Sequence, residues 1–317
     1  MTVSIWWRLV AAVALGVGMT ACAAESDSAE DPPTPSAHAS SPTSPLALAE
    51  QSVVSIEAGQ SAGAGVVLTA DGHIMVSNTV AAGGPVTVTF SDGGSGTAVL
   101  VGADPRTELA VVSVDGASDL TPAVFGDSDG VQPGDEVQLV DAPATQAAVE
   151  SGIVLDTSST VGTLSMIETD LAAGPGTSGR PVLNDAGEVI GLHMATSTAA
   201  DGSVVASFAI PSNIATRVAD QLAAGQQPTH PYLGVEVDNA PDGGALVHGV
   251  AAGSPAGQAG LQPGDVITGL GGRPVEDADD VLAVVMSSGL GDEVTVTYTR
   301  DGSSQTVTVT LGQSPAG

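Results

Sequence analysis

Pro175-Gly176-Thr177-Ser178-Gly179-Arg180-Pro181 decides how this chain is read. It sets a single serine, Ser178, between two glycines, with short apolar runs on both sides. Strands are predicted at 163–167 before it and at 181–184 and 188–193 after it. The same pattern repeats outward. Val66-Val67-Leu68 and Ile74-Met75-Val76 flank Thr69-Ala70-Asp71-Gly72, whose Asp-Gly pair predicts a hairpin. Val86-Thr87-Val88-Thr89-Phe90 alternates with period two, as a half-buried strand does. Further strands are predicted at 97–102, 109–114, 136–140, 152–155 and 204–209, and one helix at 211–223. Many short strands separated by turn signals make a mostly β body, a barrel or a sandwich.

A second unit follows Gly225-Gln226-Gln227-Pro228-Thr229-His230-Pro231, a linker of turn-forming and polar residues. It closes on a hairpin, Val294 to Tyr298 and Thr306 to Val309 around Arg300-Asp301-Gly302. A helix is predicted at 277–287 from the stripe Val281, Leu282, Val284 and Val285. Asp277-Ala278-Asp279-Asp280 reads as the start of that helix and not as a calcium loop. No metal site or cofactor is expected.

The chain has 317 residues, enough for two domains and a tail. Its cores must be built from Val, Leu, Ile and Ala, because aromatic residues are only 2%. There are 36 acidic residues against 6 basic ones, all arginine. A net charge of −30 argues against nucleic acid or an anionic lipid surface as a direct partner. Cys22 is the one cysteine, so no intramolecular disulfide can form. Arg8 and the apolar run Leu9–Met19 read as a signal peptide, and the run is too short to span a bilayer. Met19-Thr20-Ala21-Cys22 resembles a bacterial lipoprotein box, which implies a lipid on Cys22 and a place at the extracytoplasmic face of the cell membrane. Residues 1–21 are then the signal peptide, and 22–47 the lipidated cysteine and a Pro-rich disordered linker.

Several phrases in fixed order carry a family resemblance. They are Ala62-Gly63-Ala64-Gly65, Val101-Gly102-Ala103-Asp104-Pro105-Arg106-Thr107, Gly126-Asp127-Ser128-Asp129, Ser151-Gly152-Ile153-Val154 and Phe208-Ala209-Ile210-Pro211-Ser212. Together the phrases resemble the HtrA-type serine proteases. The resemblance implies a chymotrypsin-like double β-barrel at 48–224 and a PDZ domain at 229–313. It places Ser178 at the nucleophile, Thr79 at the triad histidine, Glu108 at the triad aspartate and Gly176 among the oxyanion N–H donors. Arg180 stands where the family has glycine. Triad hydrolysis needs an imidazole to take the serine proton, and threonine has no group that accepts a proton near pH 7.

The first reading is therefore a pseudoprotease that binds peptides or envelope proteins through its PDZ domain. Tyr232-Leu233-Gly234-Val235 matches the PDZ carboxylate-binding loop. An alternative is an active endopeptidase whose base has moved, with His193 as the candidate pairing with Glu108 near Ser178. A third is a structural or regulatory lipoprotein that assembles with an active paralogue. A homo-oligomer is possible, although family trimers use N-terminal aromatic contacts and the mature segment before residue 90 has none.

Overall fold

The computed structural model describes residues 44–142, 149–161, 164–174 and 176–314. The predicted signal peptide, Cys22 and the linker as far as residue 43 lie outside them. Helix α1 (Pro45–Gln51) begins in the last residues of the stretch expected to be linker and runs into the first barrel domain. Ser44 caps it by accepting from Ala47 N, and Pro45 sits at its first position, where a missing N–H costs nothing.

Two closed six-stranded barrels follow. The first contains β1 (Val53–Ala58), β2 (Ser61–Val67), β3 (His73–Ser77), β4 (Val86–Thr89), β5 (Ser95–Asp104) and β6 (Leu109–Val114), ordered β1-β2-β3-β6-β5-β4. A one-turn helix, α2 (Asn78–Ala81), starts directly after β3. The second barrel contains β7 (Glu136–Val140), β8 (Val149–Val161), β9 (Leu164–Thr169), β10 (Pro181–Leu183), β11 (Val189–Thr198) and β12 (Val204–Pro211), ordered β10-β11-β12-β9-β8-β7. This is the chymotrypsin-like double barrel that the resemblance implied. Closure leaves neither barrel a free edge.

Valine and isoleucine fill the interiors. Ile56, Ile74, Val88 and Val112 close the first barrel, and Leu139, Ile167, Val182 and Ile190 close the second. Helix α3 (Ser212–Ala223) lays Ile214, Val218 and Leu222 into a third cluster, which holds Val66 and Leu109 of one barrel and Leu183 and Leu192 of the other. The helix thus ties the two barrels together.

The C-terminal unit has a six-stranded sheet, a two-stranded pair and two helices. Its strands are β13 (Pro231–Tyr232), β14 (Val235–Asn239), β15 (Ala245–Val250), β16 (Val266–Leu270), β17 (Arg273–Pro274), β18 (Glu293–Arg300), β19 (Ser303–Thr310) and β20 (Gly312–Gln313). The main order is β14-β15-β16-β18-β19, with β17 on β16 and a separate β13–β20 pair. Helix α4 (Pro255–Gln258) is short, and α5 (Ala278–Ser287) is capped by Asp277, which accepts from Asp280 N. Tyr298 is the one aromatic in this core.

Helix α5 also packs against β9, and its Met286 joins the cluster that spans both barrels. Arg217 of α3 donates to the carbonyls of Met286 (3.1 Å) and Ser288 (3.0 Å), which satisfies the end of α5. His230, expected only as linker, is buried, with Nε2 3.2 Å from Asp104 Oδ1. Burial opposes the charge on Asp104, but the bonds from His230 and Thr107 outweigh it and hold this carboxyl below its usual range.

Candidate functional site

Three loops bring the triad positions into one cleft of about 550 Å³ between the barrels. Thr79 arrives on α2. Glu108 sits in the tight turn from β5 to β6 with φ +55°, a left-handed conformation that is uncommon outside glycine. Its carbonyl accepts from Asn78 N at 2.8 Å, which ties the turn to α2. Ser178 follows Gly176, whose φ of +81° suits glycine. The Ser178 carbonyl accepts from Ala64 N at 2.9 Å, so the first barrel holds a loop of the second. Gly179 is required there, because a Cβ would collide with Ala64 O.

The chemistry follows from the partners. Thr79 Oγ1 donates to Glu108 Oε2 at 2.8 Å. Ser178 Oγ makes its one side-chain contact among the described residues with Met194 Sδ, at 4.0 Å. A thioether is a weak acceptor and carries no proton away. Neither the Gly176 N–H nor the Ser178 N–H donates to a described residue. No hydrogen bond joins the Ser178 hydroxyl to an imidazole or a carboxylate among the described residues.

His193 finds its hydrogen-bond partners elsewhere. Its ring is buried at 2% exposure, with Nδ1 3.1 Å from Thr177 Oγ1 and Nε2 3.2 Å from Thr196 Oγ1. No hydrogen bond joins it to Ser178 or Glu108 among the described residues. Burial, helped by the Arg180 charge and opposed by the Thr177 carbonyl, lowers its pKa to about 4. The residue instead braces the nucleophile loop: its carbonyl accepts from Gly179 N and its N–H donates to Arg180 O, both at 2.8 Å.

Arg180, where the resemblance implied glycine, forms an ion pair with Asp141 at the end of β7. Their side chains are only 11% and 10% exposed. Sequence reading missed this partner, although a buried arginine calls for an acid nearby.

A second cavity of about 350 Å³ lies between β14 and α5. Tyr232, Leu233, Gly234 and Val235 line one end, with Val281 and Val285 of α5 opposite. Gly234 has φ +87°, and a Cβ there would strike Ser254. Strand β14 pairs only with β15 among the described residues, so its other edge faces this groove unpaired.

Comparison with known proteins agrees with this geometry. Residues 60–192 match the family model for a trypsin-like peptidase domain, and 231–311 match that for a PDZ domain. The chain is 36% identical over 282 residues to the serine protease PepD of Mycobacterium tuberculosis, covering 80% of this chain and 61% of the relative. It is 35% identical over 270 residues to a probable periplasmic serine endoprotease DegP-like of Chlamydia trachomatis, covering 80% of this chain and 54% of that protein. The chain thus spans about three fifths or less of the length of these relatives. Among solved structures, the HtrA-type protease AlgW with tripeptide superposes with a TM-score of 0.65 and 29% identity, over 86% of this chain and 97% of that one. The chain is thus a trypsin-like peptidase domain followed by a PDZ domain, the arrangement of the HtrA-type proteases to which it is similar.

Proposed function

We propose that this HtrA-type chain has an impaired hydrolytic step and works by binding peptide C-termini in its PDZ groove. The Thr79–Glu108 hydrogen bond carries the first half. It occupies the carboxylate with a hydroxyl and puts no imidazole between Glu108 and Ser178. In a serine protease, loss of the triad histidine lowers turnover by about 10⁶-fold, and the oxyanion site alone retains only about 10³–10⁴ over water.

The unpaired edge of β14 and the Gly234 loop support the second half, because an extended peptide can add as a strand and present its terminus to the loop. AlgW, a protein of similar structure, was solved with a tripeptide. The natural ligands are then peptides or unfolded envelope proteins, at an extracytoplasmic address consistent with the DegP-like relatives described as periplasmic. A lipid on Cys22 would hold the body there, and mass spectrometry of the N-terminal fragment checks it. Assembly with itself or with an active paralogue fits the same role.

A peptide-cleavage assay tests the hydrolytic half. Wild type and Ser178→Ala are expected to be equally slow; wild-type cleavage that vanishes in Ser178→Ala would overturn it. Binding of a fluorescent C-terminal peptide, expected for wild type and lost in Gly234→Trp, tests the peptide half.

A further inference from the structure

A chain with a net charge of −30 is a poor host for another carboxylate, yet a C-terminal peptide brings one. Five arginines lie among the described residues, and four are engaged. Arg180 pairs with Asp141, and Arg217 binds the end of α5. Arg273 donates to Ser165 Oγ and the Ser158 carbonyl, and Arg300 to Asp265. Only the guanidinium of Arg106 has no acceptor among the described residues.

Arg106 belongs to the first barrel, in the turn between β5 and β6, and its side chain is exposed. It nevertheless lines the groove of the C-terminal unit, together with Tyr232, Leu233 and Gly234. Its backbone is held in place. Arg106 N donates to Asp104 Oδ1 at 3.2 Å, and Asp104 is bound in turn by Thr107 (2.6 Å) and by His230 of the connecting segment (3.2 Å). The turn that carries the free cation is thus pinned to the chain leading into the groove. The remaining walls are apolar except for Ser314, and none of them offers a carboxylate a charge.

We propose that Arg106 reads the terminal carboxylate of a peptide in the PDZ groove, so that the barrel supplies a specificity residue for the ligand of its neighbour. This rests on the groove being a C-terminal peptide site. The backbone N–H groups around Gly234 hold the carboxylate, and the guanidinium supplies the opposite charge with up to two parallel N–H donors. The apolar walls select an apolar terminal side chain. Asp104 and Glu108, the nearest acids of the same turn, are occupied by His230 and Thr79, which leaves the cation for the ligand.

The test is fluorescence anisotropy with a fluorescein-labelled peptide ending in two valines, made as the free acid and as the C-terminal amide. Wild type is expected to prefer the acid. Arg106→Gln should weaken acid binding about ten-fold and leave amide binding unchanged. Arg106→Lys should recover part of the preference, and added salt should reduce it in wild type far more than in Arg106→Gln. An acid preference that Arg106→Gln leaves intact, or an equal loss for both peptides, overturns the role of Arg106 alone. Failure of wild type to bind either peptide removes the peptide-site reading and the proposal with it.

Discussion

The Thr79 hydroxyl gives its one proton to Glu108, and the proposed function reads this position as the one where the family's imidazole would stand. Restoring the missing groups is therefore a strict test of the residue chemistry. Glu108 has φ +55°, a conformation that aspartate enters more readily than most residues, so Glu108→Asp should leave the turn intact. The double substitution Thr79→His with Glu108→Asp is expected to raise peptide hydrolysis by about 10²–10⁴-fold, the usual contribution of a general base. A second expectation concerns His193. Its folded pKa of about 4 lies below the free value of 6.5, so between these values the unfolded chain binds a proton that the fold does not. Stability is then full above pH 6.5 and falls by roughly 3 kcal/mol as the pH drops to 4. Urea titrations across this window should show that slope in wild type and a shallower one in His193→Gln.

The strands were legible because alternation and turn residues act locally. β6 over Leu109–Val114 and β7 over Glu136–Val140 fall where the apolar runs predict them. Helix α5 begins one residue after its capping Asp277, as the acidic cluster implied. Less was legible where long-range partners decide. Helix α1 starts at the end of a Pro-rich stretch that reads as linker, and its start depends on the Ser44 cap. The burial of His230 depends on Asp104, 126 residues earlier in the chain. Arg180 likewise reads as an intruder in a glycine position until Asp141 is found beside it. That pair yields a prediction about the nucleophile loop. Removing one partner leaves an uncompensated buried charge, so Asp141→Leu should lower stability by about 3–5 kcal/mol. Asp141→Leu with Arg180→Met, which removes both charges, should cost much less, and thermal or chemical denaturation of the four proteins checks it.

For the molecule as a whole, the barrels and the C-terminal sheet share side chains as well as a chain. Met286 of α5 packs into the cluster that unites the barrels, and β9, against which α5 rests, supplies Leu164 and Met166 to the cleft. The double barrel and the PDZ domain were readable from the order of short phrases. The cross-domain contacts of Arg106, Arg217 and His230 were not, because no local pattern announces a partner that folding brings from another unit. On the proposed reading, the cleft keeps the Ser178 hydroxyl and sets no imidazole beside it. The most direct measurement of that state is the rate at which a fluorophosphonate probe labels Ser178, read by peptide mass spectrometry. Wild type should label no faster than background, while the Thr79→His, Glu108→Asp protein should label clearly. Rapid labelling of wild type at Ser178, abolished by Ser178→Ala, would contradict the account.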